Sequence, residues 1–231
     1  MKLGYTEAPK GINYRLYQFA SRRIAQSFET YHPVSLQGNI IQQGQRSCED
    51  RWCLISQVLG QGQAKSFLDL GCAEGYFVRH AAQEFGCFSV GVDGDFKRLL
   101  VAQNCAMIDN VIGTSFVLSN IDSEFIEKLP VFDVVVFLSV MHHIMYEHGV
   151  DYSRSMLRAI REKTKQCMIF DMGQSNEIKN AWAKLLPNMG DDPSAWIADF
   201  LRSAGFNSVD KVGEADSYQN EARRAVFLAK P

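Results

Sequence analysis

The sequence lacks the features that mark a membrane-spanning or secreted chain. No apolar run approaches the roughly 18 residues that a transmembrane helix needs, and the first residues carry no apolar segment of a secretory signal. The six cysteines are scattered without a Cys-x-x-Cys pair, and the five histidines show no metal-ligand spacing with them. We therefore expect a cytoplasmic protein with reduced cysteines, no membrane association and no metal.

A strong net charge is also missing. The 24 Lys and Arg residues nearly balance 26 Asp and Glu residues, which leaves a formal charge of −2. This balance argues against broad electrostatic attachment to nucleic acid, although it leaves room for a local basic patch. Hydrophobic residues make up 46% of the 231 residues, which is ordinary for one globular α/β domain with a small appendage.

The apolar pattern divides the chain into two parts. Apolar residues recur every four positions from Leu16 to Phe28, which predicts an amphipathic helix. The Gly-, Gln- and Ser-rich stretch after it predicts irregular structure, and a second helix follows. The predicted ranges are 12–31 for the first helix, 32–47 for the irregular stretch and 48–59 for the second helix. We therefore expect a helical cap segment over 1–62 and a main domain over 63–231.

Strand-like and helix-like patterns alternate in the main domain, which predicts a mostly parallel sheet with helices on both faces. The predicted strands are 66–70, 88–93, 112–118, 132–139 and 166–172. The predicted helices between them are 76–85, 95–107, 122–128 and 149–164. A further helix over 193–204 and two strands over 207–213 and 223–229 complete the chain.

The most informative stretch is Leu68-Asp69-Leu70-Gly71-Cys72-Ala73-Glu74-Gly75. A strand ends in a glycine-bearing turn and a helix begins at once, which is typical of a site for a nucleotide-like ligand. The spacing is Gly-x-x-x-Gly, without the middle glycine of the dinucleotide fingerprint. The candidate binding residues of this turn are Asp69, Gly71, Cys72, Ala73 and Gly75.

A second acidic residue, Asp93, ends the next predicted strand. A carboxylate at this position can accept hydrogen bonds from both ribose hydroxyls of a bound nucleoside. Dinucleotide-binding proteins also have an acidic residue at this position, so Asp93 alone does not indicate which cofactor binds. The structural alternative is that Asp93 or Asp95 caps the following helix.

The fourth strand ends Leu138-Ser139-Val140 and continues as Met141-His142-His143-Ile144. With the glycine turn and Asp93 in the same order, this pattern resembles class I S-adenosylmethionine-dependent methyltransferases. From about residue 48 to 172 the chain is similar to the methyltransferase domain of bacterial O-antigen chain-terminating enzymes. Those enzymes cap a polysaccharide by methylating a terminal phosphate, and their substrate does not transfer safely to this chain.

The resemblance implies a fold, a cofactor and several contacts. The fold is a Rossmann-like, seven-stranded, mostly parallel sheet whose last strand runs antiparallel. The cofactor is S-adenosylmethionine, which leaves as S-adenosylhomocysteine. The resemblance implies that the adenine lies near Asn120, Ile121 and Asp122, and that Leu138 and Ser139 also contact the cofactor. Arg51, in the helix before the glycine turn, is a candidate for pairing with the methionyl carboxylate, with a solvated surface arginine as the alternative.

His143 is the first candidate for the catalytic residue and His142 the second. An imidazole titrates near neutral pH, so either residue can act as a base for a hydroxyl acceptor or as a cationic clamp for a phosphate. The structural alternative for each is packing or capping of the following helix.

The predicted function is O-methylation of a small molecule or a glycan end. A first alternative is a tRNA-modifying methyltransferase, because residues 1–30 carry a local excess of basic residues interleaved with aromatic ones. A second alternative is a cofactor-binding regulatory subunit without methyl transfer. The missing middle glycine opposes a nicotinamide-dependent oxidoreductase.

Overall fold

The amino-terminal part contains two helices separated by a β-hairpin. The structure is a computed structural model that describes residues 12–62, 64–217 and 223–231. The elements of this part are α1 (Ile12–Gln26), β1 (Val34–Leu36), β2 (Asn39–Gln42) and α2 (Glu49–Gln61). The prediction of irregular structure over 32–47 was wrong, since two strands lie there, and the first helix ends at Gln26 instead of near residue 31.

The hairpin forms because a two-residue turn joins two short apolar strands. Gln37 and Gly38 have φ angles of 52° and 75°, as a tight hairpin turn of this hand requires. Leu36 pairs with Asn39 across the turn. Val34 and Leu36 are buried against the helix α4 (Phe96–Ile108), so the hairpin covers one side of the main domain.

A seven-stranded sheet forms the centre of the main domain. Its strands are β3 (Ser66–Leu70), β4 (Phe88–Asp93), β5 (Thr114–Leu118), β6 (Phe132–Leu138), β7 (Thr164–Asp171), β8 (Ser208–Asp216) and β9 (Arg223–Lys230). The order is β5-β4-β3-β6-β7-β9-β8. Neighbours among β3 to β7 are parallel, and β9 is antiparallel to both β7 and β8. The predicted Rossmann-like fold is therefore confirmed, with the strand order reversing between β3 and β6.

Helices cover both faces of this sheet. They are α3 (Tyr76–Phe85), α4, α5 (Ser123–Lys128), α6 (Met141–Glu162) and α7 (Pro193–Ser203), with a short 3-10 helix over Ala181–Leu185 that was not predicted. One apolar cluster joins α6 and α7 to the sheet, and another joins α2 and α3 to its opposite face. In the described part of the chain, no helix is long and apolar enough to cross a bilayer.

The helix α6 begins eight residues earlier than predicted. It starts at Met141, directly after β6, and bends at Gly149, whose φ and ψ are 83° and 176°. Met141, Ile144 and Met145 are buried, and their spacing of three and four residues is the helical one. The prediction missed these eight residues of helix, about two turns, and the histidine pair therefore lies on a helix.

Candidate functional site

The glycine turn after β3 brings the backbone close to its neighbours. Gly71 has a φ of 89°, and a side chain there would collide with the Val140 side chain. Gly75 has a φ of 69° and is the N-cap of α3, where a Cβ atom would lie 2.6 Å from the Phe116 ring. Only glycine fits both positions without strain, so the turn stays open on its ligand-facing side.

Asp93 holds the glycine turn against the end of β4. Its Oδ2 accepts a hydrogen bond from the Ala73 backbone N–H at 2.8 Å, and its Oδ1 accepts one from the Asp95 N–H at 2.9 Å. The N-cap of α4 is Asp95, which accepts from the Lys97 N–H. Asp93 is therefore not the cap, and its oxygens keep lone pairs for hydroxyl donors.

Two cavities meet at the carboxyl ends of the parallel strands. The inner cavity has a volume of about 210 Å³, and the predicted residues that line it are Arg51, Asp69, Gly71, Ala73, Asp93, Leu138, Ser139 and His143. The outer cavity has a volume of about 540 Å³, and it takes in Asn120, Ile121 and Asp122. Gly71, Asp93 and Val140 line both cavities, so the two are adjacent parts of one site.

Two predicted cofactor residues lie beneath this site and do not line either cavity. The Cys72 side chain is fully buried and points towards Gly91, where an added Cβ would lie 2.7 Å from the Cys72 sulfur. Gly75 caps α3, as described above. Their role in the described structure is to shape the turn.

Three buried polar atoms on the wall of the inner cavity have no hydrogen-bond partner among the described residues. They are Asp69 Oδ2, His32 Nδ1 and Arg46 Nε. Burial, and then the nearby Asp93, raise the pKa of Asp69 well above its ordinary value. Burial, followed by Arg46 and Arg98, lowers the pKa of His32 to about 3. Because buried polar groups are rarely left unpaired, these three atoms fit a ligand that carries both positive and negative groups.

Ser139 connects the cavity wall to a buried network of charges. It adopts a left-handed conformation with a φ of 59°, directly after β6. Its N–H and its hydroxyl both donate to Asp171 Oδ1 at 2.8 Å. Its Oγ accepts from Arg46 Nη1 at 2.6 Å and from Arg224 Nη1 at 3.1 Å. Two guanidinium groups therefore converge on one hydroxyl beside the cavity.

Arg51 is paired inside the protein. Its Nε and Nη2 both lie 2.7 Å from Asp171 Oδ2, and its Nη1 lies 3.3 Å from Asp50. Arg51 is only 3% exposed, so it is not a solvated surface arginine. The unpaired guanidinium nitrogen on the cavity wall belongs to Arg46.

The two neighbouring histidines differ in their surroundings. His142 is 3% exposed, and its Nδ1 accepts a hydrogen bond from the Gly173 N–H at 3.1 Å. Its ring lies 4.4 Å from the Trp182 ring and 4.2 Å from the His143 ring. His143 is exposed and lines the inner cavity. Of the two, His143 is therefore the one that can touch a ligand there.

The pKa values of both histidines lie below their ordinary range. Burial is the main cause at His142 and lowers its pKa strongly, followed by the positive charge of Arg224. Partial burial and then Arg224 lower the pKa of His143, while Glu147 raises it. Arg224 is itself held by two hydrogen bonds to Glu177, at 2.7 and 2.8 Å. Both imidazoles are therefore biased towards the neutral form.

Comparison with known proteins agrees with this geometry. Residues 68–161 match the family described as "Methyltransferase domain". The chain is 28% identical over 190 residues to the Escherichia coli O-antigen chain terminator bifunctional methyltransferase/kinase WbdD. A solved structure of WbdD with the kinase inhibitor LY294002 superimposes with a TM-score of 0.75 at 25% identity. Residues 68–161 therefore match a methyltransferase domain, and the chain resembles the methyltransferase domain of WbdD.

The chain spans only part of the length of these relatives. The sequence match covers 79% of this chain and 25% of WbdD, and the structural match covers 91% of this chain and 47% of the solved WbdD chain. The N-terminal domain of EvdMO1, solved in the presence of S-adenosylhomocysteine (SAH) and D-fucose, superimposes with a TM-score of 0.66 at 15% identity. At that identity the likeness concerns the fold.

Glu74 holds the loop after α1 beside the inner cavity. Glu74, in the middle of the glycine turn, accepts hydrogen bonds from the Tyr31 N–H at 2.9 Å and the His32 N–H at 2.8 Å. The carboxylate is almost fully buried. Sequence reasoning assigned no role to Glu74, because its partners lie more than 40 positions away and are backbone atoms that any residue type offers.

Proposed function

We propose that this methyltransferase uses S-adenosylmethionine to methylate an oxygen on a small molecule or a glycan end, either a hydroxyl or a phosphate. The observation that carries the proposal is the inner cavity, where unpaired Asp69 and Arg46 atoms face the same space as Asp93 and His143. SAH bound to EvdMO1 supports the cofactor, and the O-antigen activity named for WbdD supports a glycan acceptor. We place this activity in the cytoplasm.

The donor would be held by opposite charges at its amino-acid end. Asp69 Oδ2 would accept from the ammonium group, because it is the buried acceptor that lacks a partner. Arg46 Nε would donate to the carboxylate, and Arg51 would support it from behind through Asp171. Backbone groups of Gly71 and Ala73 complete this part of the proposed site.

The nucleoside would extend from the inner into the outer cavity. Asp93 lines both and would accept hydrogen bonds from the ribose hydroxyls. The adenine edge would meet Asn120 and the backbone of Ile121, beside Asp122. The Asp122 side chain already caps α5 by accepting from the Phe125 N–H, so we assign adenine recognition chiefly to Asn120 and the backbone. Leu138 and Ser139 form the floor near the methyl group.

The acceptor would approach from the side of His143. S-adenosylmethionine supplies a methyl group on positively charged sulfur. His143, biased towards the neutral form, would remove the proton from a hydroxyl acceptor, a contribution on the order of 10²–10⁴ in rate. His142 would hold the His143 ring in place by packing between it and Trp182. For a phosphate acceptor, His143 would instead act as a hydrogen-bond donor.

Calorimetry tests the donor first. The full chain should bind S-adenosylmethionine and SAH and should not bind NAD. Failure to bind the first two would overturn the proposal. Mass spectrometry of cofactor turnover against sugars, sugar phosphates and tRNA then identifies the acceptor class. Binding of SAH without turnover on any acceptor would favour the regulatory subunit.

The tRNA alternative rests on the basic residues of the first 30 positions. Arg22 and Arg23 are exposed on α1, while Lys2, Glu7 and Lys10 lie outside the described residues. A salt-dependent shift of tRNA in a gel would support this alternative, and its absence at low salt would remove it.

A further inference from the structure

A third cavity lies beneath the loop that follows α1. This lid cavity has a volume of about 240 Å³. The loop contributes Phe28, Glu29 and Thr30, the glycine turn contributes Glu74, and α4 with its cap contributes Asp95, Lys97 and Arg98. Arg98 also lines the inner cavity, so the two cavities share a wall.

An unpaired buried hydroxyl marks the lid cavity as a binding site. Thr30 is 1% exposed, and its Oγ1 has no hydrogen-bond partner among the described residues. The carboxylates around this hydroxyl already accept hydrogen bonds from other groups. Glu74 accepts from two backbone N–H groups, Asp95 caps α4, and Glu29 accepts from Gln45. A buried hydroxyl without a partner costs free energy, which a ligand in the cavity would recover.

The charges around the cavity favour a neutral ligand. Lys97 and Arg98 line the same cavity as the carboxylates of Glu29, Glu74 and Asp95. Because charges of both signs surround the cavity, neither an anionic nor a cationic ligand is favoured. The Lys97 ammonium lies 5.6 Å from the centre of the Phe28 ring, and Arg98 lies 5.4 Å from that of Tyr31. Lys97 and Arg98 supply donors and the unpaired Thr30 hydroxyl can donate and accept, which is what a hydroxyl-rich ligand needs because each hydroxyl donates and accepts.

The size of the cavity agrees with a single sugar ring. A volume of about 240 Å³ corresponds to about eight water molecules at about 30 Å³ each. Cavities for drug-sized ligands begin at about 300 Å³. The ligand is therefore smaller than a nucleotide.

We propose that the lid cavity is a subsite for a neutral sugar residue of the acceptor, held by the Thr30 hydroxyl. This inference rests on the proposed glycan methylation and extends it. Because Arg98 borders both cavities, a sugar in the lid cavity would lie next to the donor site. The acceptor would then be recognised at two places, at its methylated oxygen and at a second ring.

The test measures sugar binding to the full chain in the presence of SAH. Saturation-transfer NMR with D-glucose, D-mannose, D-galactose and D-fucose should show binding of at least one sugar. Thr30→Val keeps the shape but removes the hydroxyl, and should weaken that sugar about 2- to 10-fold, the loss expected for one hydrogen bond. Thr114→Val is the control, because its hydroxyl lies outside the lid cavity, and it should bind as the wild type does.

Several results would overturn the inference. They are the absence of binding by all four sugars, equal binding by wild type and Thr30→Val, or displacement of the sugar by inorganic phosphate. Calorimetry with SAH on the same samples separates this inference from the proposed function. SAH binding without sugar binding removes only the lid subsite, whereas loss of SAH binding in the wild type removes the donor site. The melting temperature of Thr30→Val should not fall, since an unpaired polar group is lost.

Discussion

At the scale of single residues, the site contains buried polar atoms that have no hydrogen-bond partner among the described residues and that lower the stability of the protein when no ligand is bound. Asp69 is 2% exposed and has an unpaired oxygen, and burial raises its pKa. Asp133, near the opposite end of the sheet, is also buried but accepts from the Lys65 and Ser66 N–H groups. The same type of side chain is therefore unpaired beside the cavity in one place and fully paired within the fold in the other.

We predict opposite effects for two isosteric substitutions. Asp69→Asn should weaken S-adenosylmethionine binding about 10- to 100-fold, the loss of one charged hydrogen bond, without lowering the melting temperature. Asp133→Asn should lower the melting temperature and leave the affinity unchanged. Calorimetry and thermal unfolding of both variants measure this, and equal affinities for Asp69→Asn and wild type would contradict the assignment of Asp69.

Asp133 also predicts a dependence of stability on pH. Burial would raise its pKa, but hydrogen bonds from the Lys65 N–H and from Lys165 lower it to about 2 from 3.8. A depressed pKa stabilises the fold above pH 3.8, and this contribution is lost as the pH falls towards 2. The free energy of unfolding, measured with urea, should therefore decrease less on acidification in Asp133→Asn than in the wild type. An unchanged loss would argue against this role of Asp133.

His143 predicts a dependence of activity on pH. Its pKa lies below the ordinary 6.5, so a base at this position stays neutral and active below pH 6.5. With a hydroxyl acceptor, kcat/KM should therefore fall only when the pH drops below this lowered pKa. His143→Gln should lower the activity about 10²–10⁴-fold, and its remaining activity should no longer show this fall at acid pH. A profile that rises towards low pH would instead indicate the cationic clamp for phosphate.

At the scale of elements, Glu74 connects the glycine turn to the cap segment. Its two acceptors pair with the backbone of Tyr31 and His32, and both residues line the inner cavity. The loop after α1 is therefore positioned by the same turn that would bind the donor. This contact explains how a segment far away in the chain becomes part of the site.

Removing that contact should loosen the loop locally. Glu74→Ala leaves two buried N–H groups unpaired, so we expect faster hydrogen exchange over residues 28–33 and weaker SAH binding, with slow exchange retained in β6. Glu84→Ala, an exposed position on α3, is the control and should change neither. Hydrogen exchange followed by mass spectrometry makes the measurement. Unchanged exchange over the loop would show that other contacts hold it.

At the scale of the whole molecule, a buried ion pair joins the cap segment to the sheet. Arg51 on α2 pairs with Asp171 at the end of β7, and both are at most 3% exposed. Ile55 and Leu59 of α2 belong to the apolar cluster on the sheet. The boundary predicted near residue 62 therefore does not separate two cores, because α2 shares the core of the main domain.

We predict a single cooperative unfolding transition that depends on this pair. Asp171→Ala removes the buried carboxylate of the pair and leaves Arg51 only the partly exposed Asp50, which costs up to about 3–5 kcal/mol and should lower the melting temperature by up to about 6–20 °C for a chain of this size. Adding Arg51→Met should recover part of the loss. Calorimetric unfolding measures both variants, and two separate transitions would show that the cap segment unfolds on its own.

Much of the fold and of the donor side could be predicted from local order in the chain. Strand-helix alternation predicted the sheet, and the glycine turn with Asp93 predicted one edge of the cavity, because consecutive elements of such a fold bring their strand ends together. The hairpin and the first turns of α6 were missed. A short two-residue turn and a helix that begins directly after a strand give weak periodic signals.

The cavity wall around Ser139 depends on contacts between distant residues. Arg46, Asp171 and Arg224 meet at Ser139 from positions up to 178 residues apart (224 − 46), and no local pattern predicts such a meeting. The same holds for the unequal roles of His142 and His143, which are identical neighbours in the chain. Packing against Gly173 and Trp182 buries one ring and leaves the other facing the cavity. The order of residues was enough to predict the glycine turn and Asp93 as neighbours on the cavity wall, whereas burial and long-range pairing decided which other side chains line the cavity.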